Sequence, residues 1–146
     1  MTQIAFHFGA PDKLAYTCRL LRKASGSGAK VVVLAEPSTA MRLDVDLWGV
    51  SPVDFVPHCL STATASLLRH SSVVISSDPE AAPQATNAIL VQLYQSAPTN
   101  VQSYGRVIEV VGIDEADRAE ARQRWRTYAA WGLPIQKHDL ALKENT

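Results

Sequence analysis

Gly26-Ser27-Gly28-Ala29-Lys30-Val31-Val32-Val33-Leu34 decides the fold class of this chain. Glycine ends helices because it adopts the left-handed backbone at no steric cost, so the first three residues stop the element before them. The aliphatic run after Lys30 has no polar interruption and is β-branched, the mark of a strand covered on both faces. Working outward, Pro11 and Asp12 open a helix whose Leu14, Cys18 and Leu21 fall at i, i+4 and i+7, one buried face. Before it, Gln3 to Phe8 alternates apolar and polar as a strand. After it, Pro37 and Ser38 start a second helix through Leu47, and Phe55-Val56 reads as a brief strand stopped by Pro57. This strand–helix alternation predicts an α/β fold: a three-layer domain with a mainly parallel central sheet flanked by helices, joined by right-handed crossovers.

The second half is less regular. Ser72 to Ser76 and Asn87 to Tyr94 read as strands, separated by Asp78 to Thr86 with two prolines and no apolar period. Arg106 to Val111 fits a strand or a helix segment, since its Val107-Ile108 and Val110-Val111 pairs do not decide between the two periods. Asp114 is placed to cap a last helix running to Trp131 and closed by Gly132 and Pro134, and the polar tail from Lys137 is expected to fray. No repeat or linker divides residues 1–146, so a single domain is expected.

The 146 residues are 47% hydrophobic and 19% charged, with fourteen acids against fourteen bases. That balance argues against a protein that grips nucleic acid over a wide face, which requires neutralising many phosphates. The two cysteines, Cys18 and Cys59, form no CxxC. The opening Met-Thr-Gln-Ile-Ala-Phe has no basic region followed by a long apolar run, and no stretch approaches the eighteen or so apolar residues that span a bilayer. The expected setting is the reducing cytoplasm, with no membrane contact.

Chemical motifs are missing where they would be needed. Gly26 to Lys30 resembles a phosphate loop in composition, but its glycines close a helix and lead into a strand, the reverse of a Walker A, and Val31 follows the lysine. The first strand–helix turn, Gly9-Ala10-Pro11-Asp12, lacks G-x-G-x-x-G. The histidines His7, His58, His70 and His138 are scattered, and His58 beside Cys59 has no second ligand pair to complete a metal site. No nucleophile comes with an identifiable base. The reading is non-catalytic, with no cofactor and no metal.

Two stretches favour binding instead. Leu43-Asp-Val-Asp-Leu-Trp-Gly-Val-Ser-Pro-Val-Asp-Phe-Val-Pro-His58 sets Trp48, Phe55, Val56 and Pro57 within ten residues, either a core edge or rigid apolar area for a partner. Between Arg118 and Arg126 lie four arginines and one acid, Glu120. On a helix Arg118, Arg122 and Arg126 line up at i, i+4 and i+8 with Trp125 near the stripe, while Ala121 and Tyr128 turn toward the sheet. A planar guanidinium suits a carboxylate or phosphate, so the stripe is either a ligand face or an ordinary solvated one.

Taken together, the Leu43 to His58 block and Ala121-Arg-Gln-Arg-Trp-Arg-Thr-Tyr128 with Gly132 after it resemble the chi subunit of bacterial DNA polymerase III. The likeness also spans the opening strand and helix and Lys30 to Leu34. It departs from Ser61 to Thr86 and is shorter before Asp114. The resemblance implies an α/β fold reminiscent of nucleotide-binding domains without a nucleotide site. It implies a non-catalytic replication adaptor that pairs with the psi subunit, thereby reaches the clamp loader, and captures the acidic, phenylalanine-ended tail of single-stranded DNA-binding protein (SSB), its DNA contact being indirect. Carried over by position, Trp48 and Phe55, with Val56 and Pro57 beside them, match the psi side. Arg118, Arg122, Trp125 and Tyr128 match the SSB-tail side, with Ile113 the candidate for the far wall. The competing reading is direct single-strand nucleic-acid binding by the arginine helix, with Trp125 as a stacking platform. A small nucleotide-dependent enzyme would rest on fold analogy alone.

Overall fold

The computed structural model describes residues 2–49, 56–78 and 88–140. Its seven strands are β1 (Gln3–Ala10), β2 (Val31–Leu34), β3 (His58–Leu60), β4 (Val73–Ser76), β5 (Ile89–Gln92), β6 (Arg106–Gly112) and β7 (Ile135–Asp139). The helices are α1 (Lys13–Gly26), α2 (Pro37–Asp46), α3 (Ala65–His70) and α4 (Glu115–Ala130). The strands form one sheet in the order β3-β4-β2-β5-β6-β1-β7, and every neighbouring pair is parallel. This is the three-layer α/β arrangement expected from the sequence.

β2 carries the logic of the layers. All four of its side chains are buried: Val31 and Val33 pack with Cys18, Leu21, Ala40 and Leu43 of α1 and α2, while Val32 and Leu34 pack with Ala121 and Tyr128 of α4. Asp12 caps α1 by accepting the Ala15 N–H at 3.1 Å, and Pro37 starts α2 at the position where a missing N–H costs nothing. The Gly26 to Lys30 turn is a helix stop. Gly28 takes φ +85°, and the Lys30 ammonium donates to the carbonyls of Leu68 and Ser71 at the end of α3, where a cation also meets the negative end of the helix dipole. α4 closes in a Schellman motif, with the Leu133 N–H on the Tyr128 carbonyl and the Gly132 N–H, at φ +75°, on that of Ala129.

Two elements differ from expectation, and one left open is decided. The third strand lies at His58–Leu60, after Pro57 rather than before it. Proline has no N–H for the ladder, but its carbonyl still accepts the Val73 N–H at 3.1 Å, so it fits at the strand's entrance. Phe55 lies outside the described residues. Arg106 to Val111 belongs to a strand, β6, held between β5 and β1. Lys137 to Asp139, expected to fray, instead pair with Phe6, His7 and Phe8 as part of the edge strand β7; the expectation for residues 141–146 lies outside the described residues.

Candidate functional site

A buried ionic network sets the orientation of α4. Ala121, Arg124 and Tyr128 form its inward stripe, and β6 places Glu109 beneath them. The Arg124 Nε–H donates to Glu109 Oε1 at 2.8 Å, the Tyr128 hydroxyl donates to Oε2 at 2.5 Å, and Arg124 also reaches the Gln95 carbonyl at 3.2 Å. Burial pushes the Glu109 carboxyl up from the usual carboxylate range, while the charge of Arg124 and the Tyr128 hydrogen bond oppose that shift. Burial and the neighbouring Glu109 push the Tyr128 phenol far up, so it remains a donor. Each member is satisfied by the others, which is the condition under which buried charge is tolerated.

With that stripe turned in, the adjacent one forms one wall of a cleft of about 430 Å³. Arg118, Ala121, Arg122, Trp125 and Arg126 of α4 face Phe6 and Phe8 of β1, Val111 of β6 and Lys137 of β7. The Trp125 and Phe6 rings lie 4.9 Å apart at 42°, giving the cleft an aromatic base. Four cations stand around it, and no acid is among the described residues that line it. The apolar base with a cationic rim can take a ligand that ends in a ring and carries carboxylates. Arg122 is paired in this state: its Nη2 lies 3.0 Å from Glu115 Oε1, and that bond and charge hold the exposed Glu115 carboxyl below its ordinary range.

Of the residues singled out in the sequence, Arg118, Arg122 and Trp125 come together in this cleft. Tyr128 does not line it. Its ring is 0% exposed and its hydroxyl is held by Glu109, and the ring that packs on Trp125 in the cleft is that of Phe6. Ile113, 64% exposed in the turn before α4, is likewise not part of the lining. Phe6, Phe8, Val111 and Lys137 were missed, because only the strand order β6-β1-β7 brings them opposite α4. Arg124, one of the four arginines between Arg118 and Arg126 and outside their i, i+4, i+8 stripe, is 3% exposed. A signal was available: an acid inside the apolar run of β6 calls for a buried cation.

The switch point of the sheet is occupied from within. β1 and β6 are neighbours, yet α1 and α4 leave them toward opposite faces, which in such sheets opens a ligand crevice at the strand ends. Here Asp117 fills it. Its Oδ2 accepts the Gly112 N–H at 2.8 Å, and both carboxylate oxygens accept from Lys13 Nζ at 3.0 and 3.2 Å. A phosphate at this helix N-terminus would have to displace a carboxylate already paired with a lysine.

A second surface lies on α2 and the turn Leu47–Gly49 that follows it. Met41, Val45 and Trp48 follow at i, i+4 and i+7, all more than half exposed, with Trp48 at 62%. The Trp48 ring rests 4.8 Å from that of His58, whose Nδ1 lies 2.7 Å from the Val56 carbonyl oxygen and Nε2 2.9 Å from that of Asp44. Val56 belongs to the core on the α1–α2 side, and Pro57 is half-buried. Val56 therefore supports this corner from beneath and presents no face to a partner. Nearby, burial pushes the Cys18 thiol up to about 11, with Asp46 and Asp12 adding to the rise, so it stays a packed thiol. Among the described residues, no group of three or more His, Cys, Asp or Glu could hold a metal ion, and no helix is long and apolar enough to cross a membrane.

Comparison with known proteins matches residues 1–136 to a family model described as the DNA polymerase III chi subunit, HolC. The chain is similar to the DNA polymerase III subunit chi of Pseudomonas aeruginosa, 32% identical over 130 residues that cover 88% of this chain and 87% of that one. It is also similar to the subunit of the same description from Haemophilus influenzae, 30% identical over 124 residues covering 84% of each.

Proposed function

The chain belongs to the DNA polymerase III chi subunit family, and on that premise we propose that it is a non-catalytic replication adaptor with two protein-binding faces. One face, the α4 cleft, takes the acidic tail of SSB. The other, the corner around Trp48, takes the psi subunit and through it the clamp loader, with Phe55 assigned to that side by the family resemblance alone. The observation that carries the first assignment is the combination of an aromatic base with four rim cations. An SSB tail ends in a phenylalanine with a free carboxylate after several acids. Its phenyl ring fits against Trp125 and Phe6, where burial stabilises by about 1.5–3 kcal/mol. Arg122 meets the carboxylate, and Arg118 and Arg126 face the preceding acids. The exposed Met41–Val45–Trp48 stripe supports the second assignment, because three large apolar side chains at helical spacing form a face that a partner helix would cover.

The test is fluorescence anisotropy with a labelled acidic peptide ending in phenylalanine, a version lacking that residue, and a single-stranded oligonucleotide of matched length. The proposal expects saturable binding of the first and loss of most affinity for the second. Arg122→Ala should remove about 1–3 kcal/mol, discounted because its side chain is half exposed. Tighter binding to the oligonucleotide than to either peptide would favour direct nucleic-acid recognition and overturn the adaptor reading of this cleft.

A further inference from the structure

Resting on that reading of the cleft, we propose that Lys137 is the residue that selects a free terminal carboxylate, clamping it from the sheet side while Arg122 holds it from the helix side. β7 runs parallel to β1 with Lys137 in register with Phe6, and register partners in a parallel pair point to the same face of the sheet. Phe6 packs on Trp125, so Lys137 stands beside the aromatic base at the open edge of the sheet. A terminal phenylalanine ties its carboxylate to its ring through two carbons. Once the ring is seated on Phe6 and Trp125, the carboxylate therefore lies next to that base and cannot reach far along the helix.

Geometry then sorts the cations. Arg122 is three residues before Trp125, a direct neighbour on the helix surface, whereas Arg126, at i+1, reaches the cleft rim without being a facing neighbour of that ring. Arg118 lies one turn further, about 6 Å along the axis. Lys137 comes from the opposite wall. The two cations beside the ring seat are thus Arg122 and Lys137, and the remaining two face the upstream acids. A lysine ammonium suits this place, as a compact charge on a flexible stem that leaves the bidentate face of the carboxylate to arginine. Lys137 is exposed and its ladder pairing with β1 is by backbone, so substitution spares the fold.

The experiment measures binding of two peptides, identical except that one ends in a free carboxylate and the other in an amide, to the full chain and to Lys137→Gln, Lys137→Arg and Arg126→Ala. Lys137→Gln should weaken the carboxylate peptide about threefold to tenfold and leave the amide peptide unchanged, with Lys137→Arg retaining most of the affinity. Arg126→Ala should weaken both peptides alike. Equal losses for the two peptides with Lys137→Gln, or no loss at all, would overturn the clamp while leaving the cleft assignment standing. Failure of the unaltered protein to bind the carboxylate peptide would overturn the cleft assignment and the clamp with it.

Discussion

Arg124→Met tests whether the ionic network under α4 holds the helix that builds the cleft. The substitution keeps the length of the stem and removes the guanidinium. Glu109 is then left fully buried with the Tyr128 hydroxyl as its remaining donor. Breaking a buried pair by removing one partner costs about 3–5 kcal/mol. In a chain of this size that corresponds to a fall in Tm of roughly 6–20 °C. The pH dependence has a defined sign. Burial already raises the Glu109 carboxyl, and Arg124 is the strongest influence opposing the rise, so its loss raises the carboxyl further. A raised carboxyl contributes stability that is present below its unfolded value, about 4.3, and lost as pH climbs through the folded value. The penalty of Arg124→Met should therefore be smallest near about pH 4.5 and grow toward about pH 7. Adding Glu109→Gln to the variant should recover part of the loss at neutral pH. Urea unfolding followed by circular dichroism measures all of this as a change in midpoint at constant slope. A penalty under about 1 kcal/mol at neutral pH, or one that does not vary with pH, would refute the reasoning.

Glu115→Gln should tighten binding of the acidic peptide about twofold to fivefold, because Glu115 holds Arg122 in the free protein and a ligand carboxylate must replace it; titration calorimetry at low salt reads this, and unchanged affinity would show that the pair does not compete. Trp48→Ala should weaken psi association by about 2 kcal/mol or more while changing Tm by only a few degrees, since its ring is largely exposed in the free chain; a large fall in stability would place it in the core instead. Asp117→Asn should cost about 1–3 kcal/mol of stability by weakening its bonds to Lys13 and the Gly112 N–H, and a stability equal to that of the parent chain would remove Asp117 from the structural role given to it here.

Local pattern made much of the fold legible and failed where tertiary position decides. The aliphatic run of β2 was readable because both of its faces are covered. The caps at Asp12 and Asp114 and the stop at Gly132 are short-range chemistry, visible in the sequence itself. β6 was ambiguous because Glu109 interrupts its apolar pattern, and the reason for that acid, Arg124, lies fifteen residues away. β7 was missed because an edge strand beside solvent needs few apolar side chains, and the polar residues from Lys137 read as tail. The site divides in the same way. Arginines at helical spacing announce one wall. The opposite wall draws on three strands separated by as many as 131 positions in the chain, from Phe6 to Lys137, so nothing local could reveal it. Tyr128 entered the site through the family resemblance alone; its helical spacing turned it toward the sheet, where its hydroxyl is held by Glu109.

Capture of an acidic, phenylalanine-terminated tail by α4 and the β1–β7 edge together is testable in one titration, because the chain has three tryptophans. Trp125 lines the cleft, Trp48 stands on the α2 corner, and Trp131 follows the end of α4. In a nitrogen-15 NMR titration with the unlabelled tail peptide, the indole signal of Trp125 should shift progressively, together with the amides of Phe6, Phe8 and Lys137. The Trp48 indole and the amides of Met41 and Val45 should stay in place. Movement centred on Trp48, or an unmoved Trp125 signal at saturating peptide, would show that the tail does not bind in this cleft.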